Sequence, residues 1–433
     1  MNGRPNSLLK GDLPQKQLVH LASVTGATVA NNMAGFVAQM LGAKVLGPEE
    51  FGVFSLAFSV ATLTAAIGDF GLNLTMIRLF NKYTGMPERQ NILLGSVLGF
   101  KVLLFGFLAL GSLLLGRFLA LWLGIGPGAT LLFAVALITG GLLFLWTYLE
   151  AYLQSHRLFM RLAGYLIAYA ALRLGFLAVA HVFSPQQALI WLVATYTGPV
   201  LLLLVFGVLP KASKLLSSAL VRPRQSLAFF KEALNYSKWV ALSGIAYIAM
   251  PYVVKFVLAT RASLGEVGIF SAGLTFTAAF TTLNTAVRAV LFPKVTAIEG
   301  QERTKEYLKR LGKIAPYYAT VAAVGIAMLA LLQGFVLGQA YRAAMPVFLV
   351  TASSAAITIF LGLGTMLVHT MMKPWIEAEV NALRFLTVTF IAYLVAPVLG
   401  ALGIALAYSL TLVAGEAGIF CYILLKQKKN VAQ

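Results

Sequence analysis

Runs of about 20 apolar residues, each broken by glycine, proline or charge, recur from one end of this 433-residue chain to the other. A helix of that length covers roughly 30 Å, the hydrocarbon thickness of a bilayer. In hydrocarbon every backbone N–H and C=O must be satisfied within the protein, so runs of this kind point to a bundle of membrane-crossing helices. They fall near 19–43, 51–76, 91–115, 128–153, 162–183, 187–209, 239–259, 267–292, 314–335, 345–370, 376–397 and 401–425, which predicts about twelve spans. The 51–76 run is expected to break near Gly68 and Gly71. Only 11% of residues are charged, against about a quarter in soluble domains. The expected class is an all-α polytopic membrane protein. The polar, basic opening, "MNGRPNSLLKGDLPQKQLVH", does not read as a cleavable leader. The single cysteine, Cys421, excludes an intrachain disulfide and a cysteine-rich metal site.

The net charge of +19 raises the prospect of a nucleic-acid partner. Its placement argues against one. With the N-terminus in the cytoplasm, the inner connections carry 24 Lys and Arg, and the outer ones carry Lys44, Arg117, Arg261 and Arg342. By the positive-inside rule both termini are cytoplasmic, and the basic residues are topology anchors that meet anionic headgroups. Five basic residues remain within spans: Lys101, Arg173, Lys255, Arg288 and Arg384. A charge at the bilayer centre costs at least about 2.5 kcal/mol, so such residues face protein or a wet interior. Lys255 and Arg288 lie near helix ends, where a long side chain also snorkels.

One short stretch is written twice. "LGPEEFGVFS", Leu46 to Ser55, returns as "SLGEVGIFS", Ser263 to Ser271, with Gly52, Phe54 and Ser55 aligned on Gly268, Phe270 and Ser271. The offset of 216 is half the chain, and it also aligns Phe144 with Phe360, Arg157 with Lys373 and Gln39 with Lys255. This indicates an internal duplication. Six spans per repeat makes the repeats parallel, giving an N-lobe over 1–210, a cytoplasmic linker over 211–232 and a C-lobe over 233–433. Two such bundles can rock around a central cavity, the architecture of alternating access. The repeated stretch is expected to be a tight turn in which glycine supplies backbone angles that other residues avoid.

The segment "GPEEFGVFSLAFSVATLTAAIGDFGLNLTMIRL", Gly47 to Leu79, resembles the N-terminal signature of polysaccharide transporters, the O-antigen (Wzx-type) flippases of the multidrug/oligosaccharidyl-lipid/polysaccharide (MOP) superfamily. The resemblance implies the MOP flippase fold and residence in the prokaryotic cytoplasmic membrane. It implies translocation of a polyprenyl-diphosphate-linked oligosaccharide from inner to outer leaflet, for O-antigen, capsule or exopolysaccharide. A glycan polymerase and glycosyltransferases are the implied partners.

The residues fit such a cargo. A diphosphate needs cations and a glycan needs polar or aromatic groups, because hydrocarbon offers neither. Thr277, Thr281, Asn284 and Arg288 share one helix face, as do Glu377, Asn381 and Arg384, and also Tyr165, Tyr169 and Arg173. Asn32 and Gln39 lie seven apart around Gly35, and Pro251 precedes Lys255 by one turn. Threonine and asparagine stripes also serve helix–helix hydrogen bonds, and tyrosines also serve packing. The candidate cavity lining is therefore Lys101, Arg173, Lys255, Arg288, Arg384, Asn32, Gln39, Asn284, Asn381, Tyr165 and Tyr169. Asp69, Glu150 and Glu416 are candidates for carrying a coupling proton or Na⁺, with pairing to a buried cation as the alternative; His369 is a weaker candidate. No cofactor is expected. The segment Gln301 to Pro316 reads as an amphipathic interfacial helix, with Tyr307, Leu308, Leu311 and Ile314 on one side.

Three rivals are weighed. A drug/cation antiporter of the same superfamily shares the architecture but calls for an acidic cavity. A lipid II flippase typically has fourteen helices. A membrane glycan polymerase, ligase or glycosyltransferase calls for a large outer loop with catalytic residues, and no outer connection here exceeds about a dozen residues. No nucleotide-binding glycine loop is present.

Overall fold

The computed structural model describes residues 15–183, 187–221, 223–278, 282, 301–367 and 375–429, and these contain helices and no strand. The helices are α1 (Gln15–Asp69), α2 (Leu72–Lys82), α3 (Pro87–Trp122), α4 (Thr130–Ser155), α5 (Phe159–Phe183), α6 (Ala188–Leu192), α7 (Gly198–Gly207), α8 (Leu209–Val221), α9 (Pro223–Arg261), α10 (Leu264–Ala278), α11 (Gln301–Leu337), α12 (Ala344–Thr365) and α13 (Trp375–Lys429). A π-helical turn, Val193–Thr197, joins α6 to α7.

Among the described residues nine helical stretches are long and apolar enough to cross a membrane. Two of them hold two expected spans apiece. A straight 55-residue helix would be about 82 Å long, far beyond a bilayer. Instead α1 is interrupted at Gly47 (φ 74°, ψ 171°) and α13 at Gly400 (φ 52°, ψ −137°). Gly47 is followed by Pro48 and two carboxylates, the residues that open a helix. With α10 as the remaining short apolar helix, all twelve expected spans have a described helix. The expected break within the 51–76 run is real: Phe70 and Gly71 take φ of 43° and 69° between α1 and α2.

The outer surface is apolar, with Leu110, Phe335 and Val398 at least 80% exposed. Such a surface belongs in lipid. The expected linker is helical. α8 lies on α3, and Ser218 Oγ donates to Asn91 O (3.2 Å). The start of α9 packs on the first half of the chain, where Phe230 meets Phe100 (4.7 Å) and Glu232 accepts from Lys82 (2.9 Å) and Tyr83 (3.0 Å). The rest of α9 packs on α13. The amphipathic segment forms the start of α11, with Leu311 buried and Tyr307 donating to Leu363 O (2.7 Å). Ile314, expected on that face, is exposed where the helix runs on into its apolar stretch.

The repeated stretch is not the turn itself. Gly52 and Gly268 sit inside helices with ordinary helical angles. What requires glycine is contact between the two halves. A Cβ at Gly52 would collide with Leu264 O and lie 3.1 Å from Gly268 N, and one at Gly268 would collide with Pro48 O. The two copies pack backbone to backbone, the close approach that small residues allow in membranes.

The same offset relates Glu50 to Glu266, and both do one job. Glu50 Oε1 accepts from Ala188 N (2.8 Å) at the start of α6, and Glu266 Oε2 accepts from Ala401 N (2.6 Å) just past Gly400. Each carboxylate meets the positive end of another helix. Ser263 Oγ accepts from Glu266 N (3.2 Å), completing the start of α10. We call this side of the bundle the hinge end.

The apolar cores divide accordingly. At the hinge end one cluster spans both halves, from Phe51, Phe54 and Trp191 to Phe270, Phe348 and Ile404. At the opposite end, among the described residues, one core around Leu94, Phe144 and Tyr148 takes in Ala233 of α9, and a small one in the second half lies around Met366, Leu367 and Ile423.

Candidate functional site

The expected polar residues gather in three clusters between the two ends. In the first, Lys101 of α3 is wholly buried. Its Nζ donates to Asp69 Oδ1 (2.7 Å) and to Phe144 O (3.1 Å). The cation is spent on its own carboxylate.

In the second, α13 supplies both partners of a buried pair. Arg384 NH2 donates to Glu416 Oε2 (3.3 Å) and to Leu412 O (3.1 Å), and NH1 donates to Asn381 Oδ1 (3.1 Å). Asn381 Nδ2 donates onward to Ser243 Oγ of α9 (3.2 Å). A Cβ on Gly415 would collide with Arg384 Nε, so glycine makes room for the guanidinium. Arg384 thus pairs across the hinged helix with Glu416.

The third cluster surrounds Arg173 of α5, which is buried. Nε donates to Thr195 O (3.1 Å) in the π-turn, and NH1 donates to Asn31 O (3.2 Å) in α1. The guanidinium lies over the rings of Tyr169 (4.2 Å) and Tyr196 (5.1 Å). Gly35 passes within 2.8 Å of NH1, measured from an ideal Cβ. Among the described residues no carboxylate lies within ion-pair distance of Arg173. Two buried oxygens beside it, Asn31 Oδ1 and Thr195 Oγ1, are unpartnered. Carbonyls and aromatic faces hold the cation without neutralising it. The π-turn presents Thr195 and Tyr196 together, a common use of π-bulges.

Gln39 joins this cluster, with Nε2 donating to Tyr196 Oη (3.0 Å) and Oε1 accepting from Thr275 Oγ1 of α10 (3.2 Å). Lys255 is buried, with Nζ 5.5 Å from the Tyr252 ring centre and no acceptor among the described residues. It does not snorkel. Tyr165 packs on Trp146 at 6.4 Å in the first-half core, and Asn32 is exposed on α1. Glu150 is half-buried on α4. Thr277 bonds to Thr351 (2.8 Å), a helix–helix contact. Thr281, Asn284, Arg288 and His369 lie outside the described residues. Among the described residues no group of three or more His, Cys, Asp or Glu could hold a metal ion.

Sequence reasoning missed Asn31, Thr195, Tyr196, Gly415 and the capping pair Glu50 and Glu266. The pair was findable, since it obeys the offset of 216.

Several solved structures share the whole fold. An inward-facing multidrug resistance MATE family transporter of the MOP superfamily matches with a TM-score of 0.71 at 13% identity, over 92% of this chain and 95% of that one. Lipid II flippase MurJ, in an inward closed conformation, matches at 0.72 and 12% identity, over 93% and 88%. A MOP superfamily transporter from Pyrococcus furiosus, described as having reverse polarity of its binding pocket, matches at 0.60 and 13%, over 97% of both chains. No curated protein sequence matches. Fold and spans together define a multi-pass membrane protein with the fold of the MOP transporters. The family model for "Polysaccharide biosynthesis protein" matches residues 20–299, and the chain belongs to that family.

Proposed function

We propose that this protein is a flippase that carries a polyprenyl-diphosphate-linked oligosaccharide from the inner to the outer leaflet by alternating access, for cell-surface polysaccharide. The observation that carries the reading is Arg173: a buried guanidinium between aromatic faces, held by two carbonyls and by no carboxylate among the described residues. An uncompensated buried charge is costly and is kept where it binds something. Arginine matches a phosphate in a fork. Among the described residues Lys255 is a second cation without a carboxylate, while Lys101 and Arg384 can exchange Asp69 and Glu416 for phosphate as the cargo passes. Spaced cations of this kind hold a diphosphate without trapping it. The prenyl tail stays in lipid, and the glycan meets the asparagine, glutamine and tyrosine groups.

The split of the cores supports the cycle. Among the described residues the halves share a broad core at the hinge end, while at the other end only α9 reaches the first-half core, which fits a carrier open on that other side. The charge asymmetry makes that side cytoplasmic, with both termini there, in the cytoplasmic membrane of a prokaryote. Glu150 is the best placed of the three acidic residues to carry a coupling proton or Na⁺, because Asp69 and Glu416 already face cations. The reading assigns this chain no bond chemistry; a glycan polymerase and glycosyltransferases act before and after it.

A drug antiporter is the competing reading, favoured by the likeness to MATE transporters. The test is outer-leaflet appearance of lipid-linked glycan in proteoliposomes, at matched protein levels. Arg173→Glu should abolish it and Arg173→Lys should retain part of it. Unchanged transport in Arg173→Glu refutes the cationic site, and efflux of a cationic dye with no glycan transport selects the rival.

A further inference from the structure

The Gln39 carboxamide is used at both ends, on opposite sides of the boundary between the halves. Its donor end meets Tyr196, whose ring lies on Arg173 and stacks on Phe58 (4.5 Å). Its acceptor end meets Thr275 of the second half. A chain of contacts therefore runs from Arg173 through Tyr196 and Gln39 to Thr275. An amide suits the position because it donates on one side and accepts on the other.

The far bond is built to be released. A threonine hydroxyl has one proton, and Thr275 Oγ1 has a second acceptor in Ser271 O (2.9 Å) of its own helix. Letting go of Gln39 leaves Thr275 satisfied. The duplicated position shows the contrast. Shifted by 216, Thr275 becomes Ser59 and Ser271 becomes Ser55, and Ser59 Oγ donates to Ser55 O (2.6 Å) in the same way. The mate of Gln39 is Lys255, which bridges to nothing among the described residues. The carboxamide bridge therefore lies at the boundary beside Arg173, while at the equivalent boundary the halves meet through the Tyr252 and Phe58 rings (6.3 Å).

We propose that Gln39 is a positioning residue that ties occupancy of Arg173 to closure of the hinge end. With the guanidinium seated on Tyr196, the Tyr196–Gln39–Thr275 bridge is made and the halves are held together. An anion at Arg173 draws the guanidinium off the ring, Tyr196 moves, and the bridge lets go. This rests on Arg173 being the diphosphate anchor.

The experiment uses the full chain with Cys421→Ser and spin labels at Gly128→Cys and Gln339→Cys, on hinge-end connections of opposite halves. Gln39→Ala and Thr275→Val should each raise the hinge-open to hinge-closed ratio about threefold, the worth of one interhelical hydrogen bond in a membrane. The double variant should shift no further than Gln39→Ala, because both remove one bond. A merely structural loss would not give this non-additive pattern. Unchanged distances, or effects that multiply, overturn the proposal. Inorganic pyrophosphate should open the hinge end in the parent and move Gln39→Ala much less. Pyrophosphate that binds the parent, by calorimetry, yet opens both equally overturns the coupling. Pyrophosphate that does not bind at all fails the diphosphate reading itself, a separate result from the double-variant cycle.

Discussion

Replacing Gly52 or Gly268 with alanine places a methyl group against the backbone of the opposite half. At Gly268 the new Cβ would lie 2.7 Å from Pro48 C, and at Gly52 it would lie 2.9 Å from Leu264 C, where ordinary contact begins at 3.4 Å. The halves must part by at least 0.7 Å in the first case and 0.5 Å in the second. The carbonyl oxygens are nearer still, so the real displacement is larger. No flexible side chain can yield, because the obstacle is main chain. Overpacking of this kind costs about 1–3 kcal/mol. The strain exists only while the hinge end is closed, so it shifts the conformational equilibrium and leaves each half folded. At about 1.4 kcal/mol per tenfold, the hinge-open fraction rises roughly five- to 150-fold. Ser271 reports it, being 3% exposed with an unpartnered hydroxyl. In a Cys421→Ser background, Ser271→Cys should react with an impermeant thiol reagent at least fivefold faster once Gly52→Ala is added. Gly106→Ala, which has nothing within 4 Å, should not change the rate. Reaction at the parent rate in both Gly52→Ala and Gly268→Ala refutes the close-contact argument.

Glu50→Gln and Glu266→Gln should each lower thermal stability, by about 0.3–1 kcal/mol, since each leaves a helix N-terminus facing a neutral group; equal melting curves for both would deny the capping role. Lys255→Gln installs the residue already present at the mate position, so it should raise the melting temperature by removing an unpaired buried charge. It should also slow glycan transport, and a variant that is both unchanged in stability and fully active removes Lys255 from the cargo path. The hydrogen bond from Lys82 holds the Glu232 carboxyl below its ordinary 4.5. A depressed carboxylate stabilises above its unfolded value and loses that contribution as pH falls through the folded one. Hydrogen exchange at the start of α9 should therefore be slow at pH 7 and accelerate, beyond the intrinsic pH trend, only below about pH 4.5; acceleration already at pH 6 would exclude this clasp.

The spans were legible because lipid fixes both their length and their apolarity. Their ends were less so: hydropathy sees only the apolar part of α9, while the helix starts at Pro223 and docks its polar opening on the first half. The identity of the buried cations was legible too, but their partners were not. Lys101 and Asp69 are 32 residues apart, as are Arg384 and Glu416. Periodicity tells which residues share a face, and is silent on what that face meets. Arg173 was the hardest case, because it is held by carbonyls that every residue carries. For the repeated glycines the sequence pointed to the right positions for the wrong reason: the angle-bearing glycine is Gly47, and Gly52 and Gly268 are small because another helix is there.

The duplication explains the frame and not the cargo site. Gly52 and Gly268, Glu50 and Glu266, Ser59 and Thr275 perform matched tasks in the two halves, and all of them lie at or near the hinge end. The buried cations have no such mates. At the same offset Lys101 meets Tyr317, Arg173 meets Thr389, Arg384 meets Ala168 and Lys255 meets Gln39. Contacts that must open and close as a unit are best built alike, since two equivalent halves then share one closing geometry. A cargo with a charged head, an apolar tail and a sugar has no two-fold axis. A lining that followed the symmetry of the frame would offer it the same group twice, and would leave one of the two charges buried with nothing to bind. The asymmetric placement of Arg173 and Lys255 against a symmetric hinge is therefore what the proposed carriage of one asymmetric anion would require.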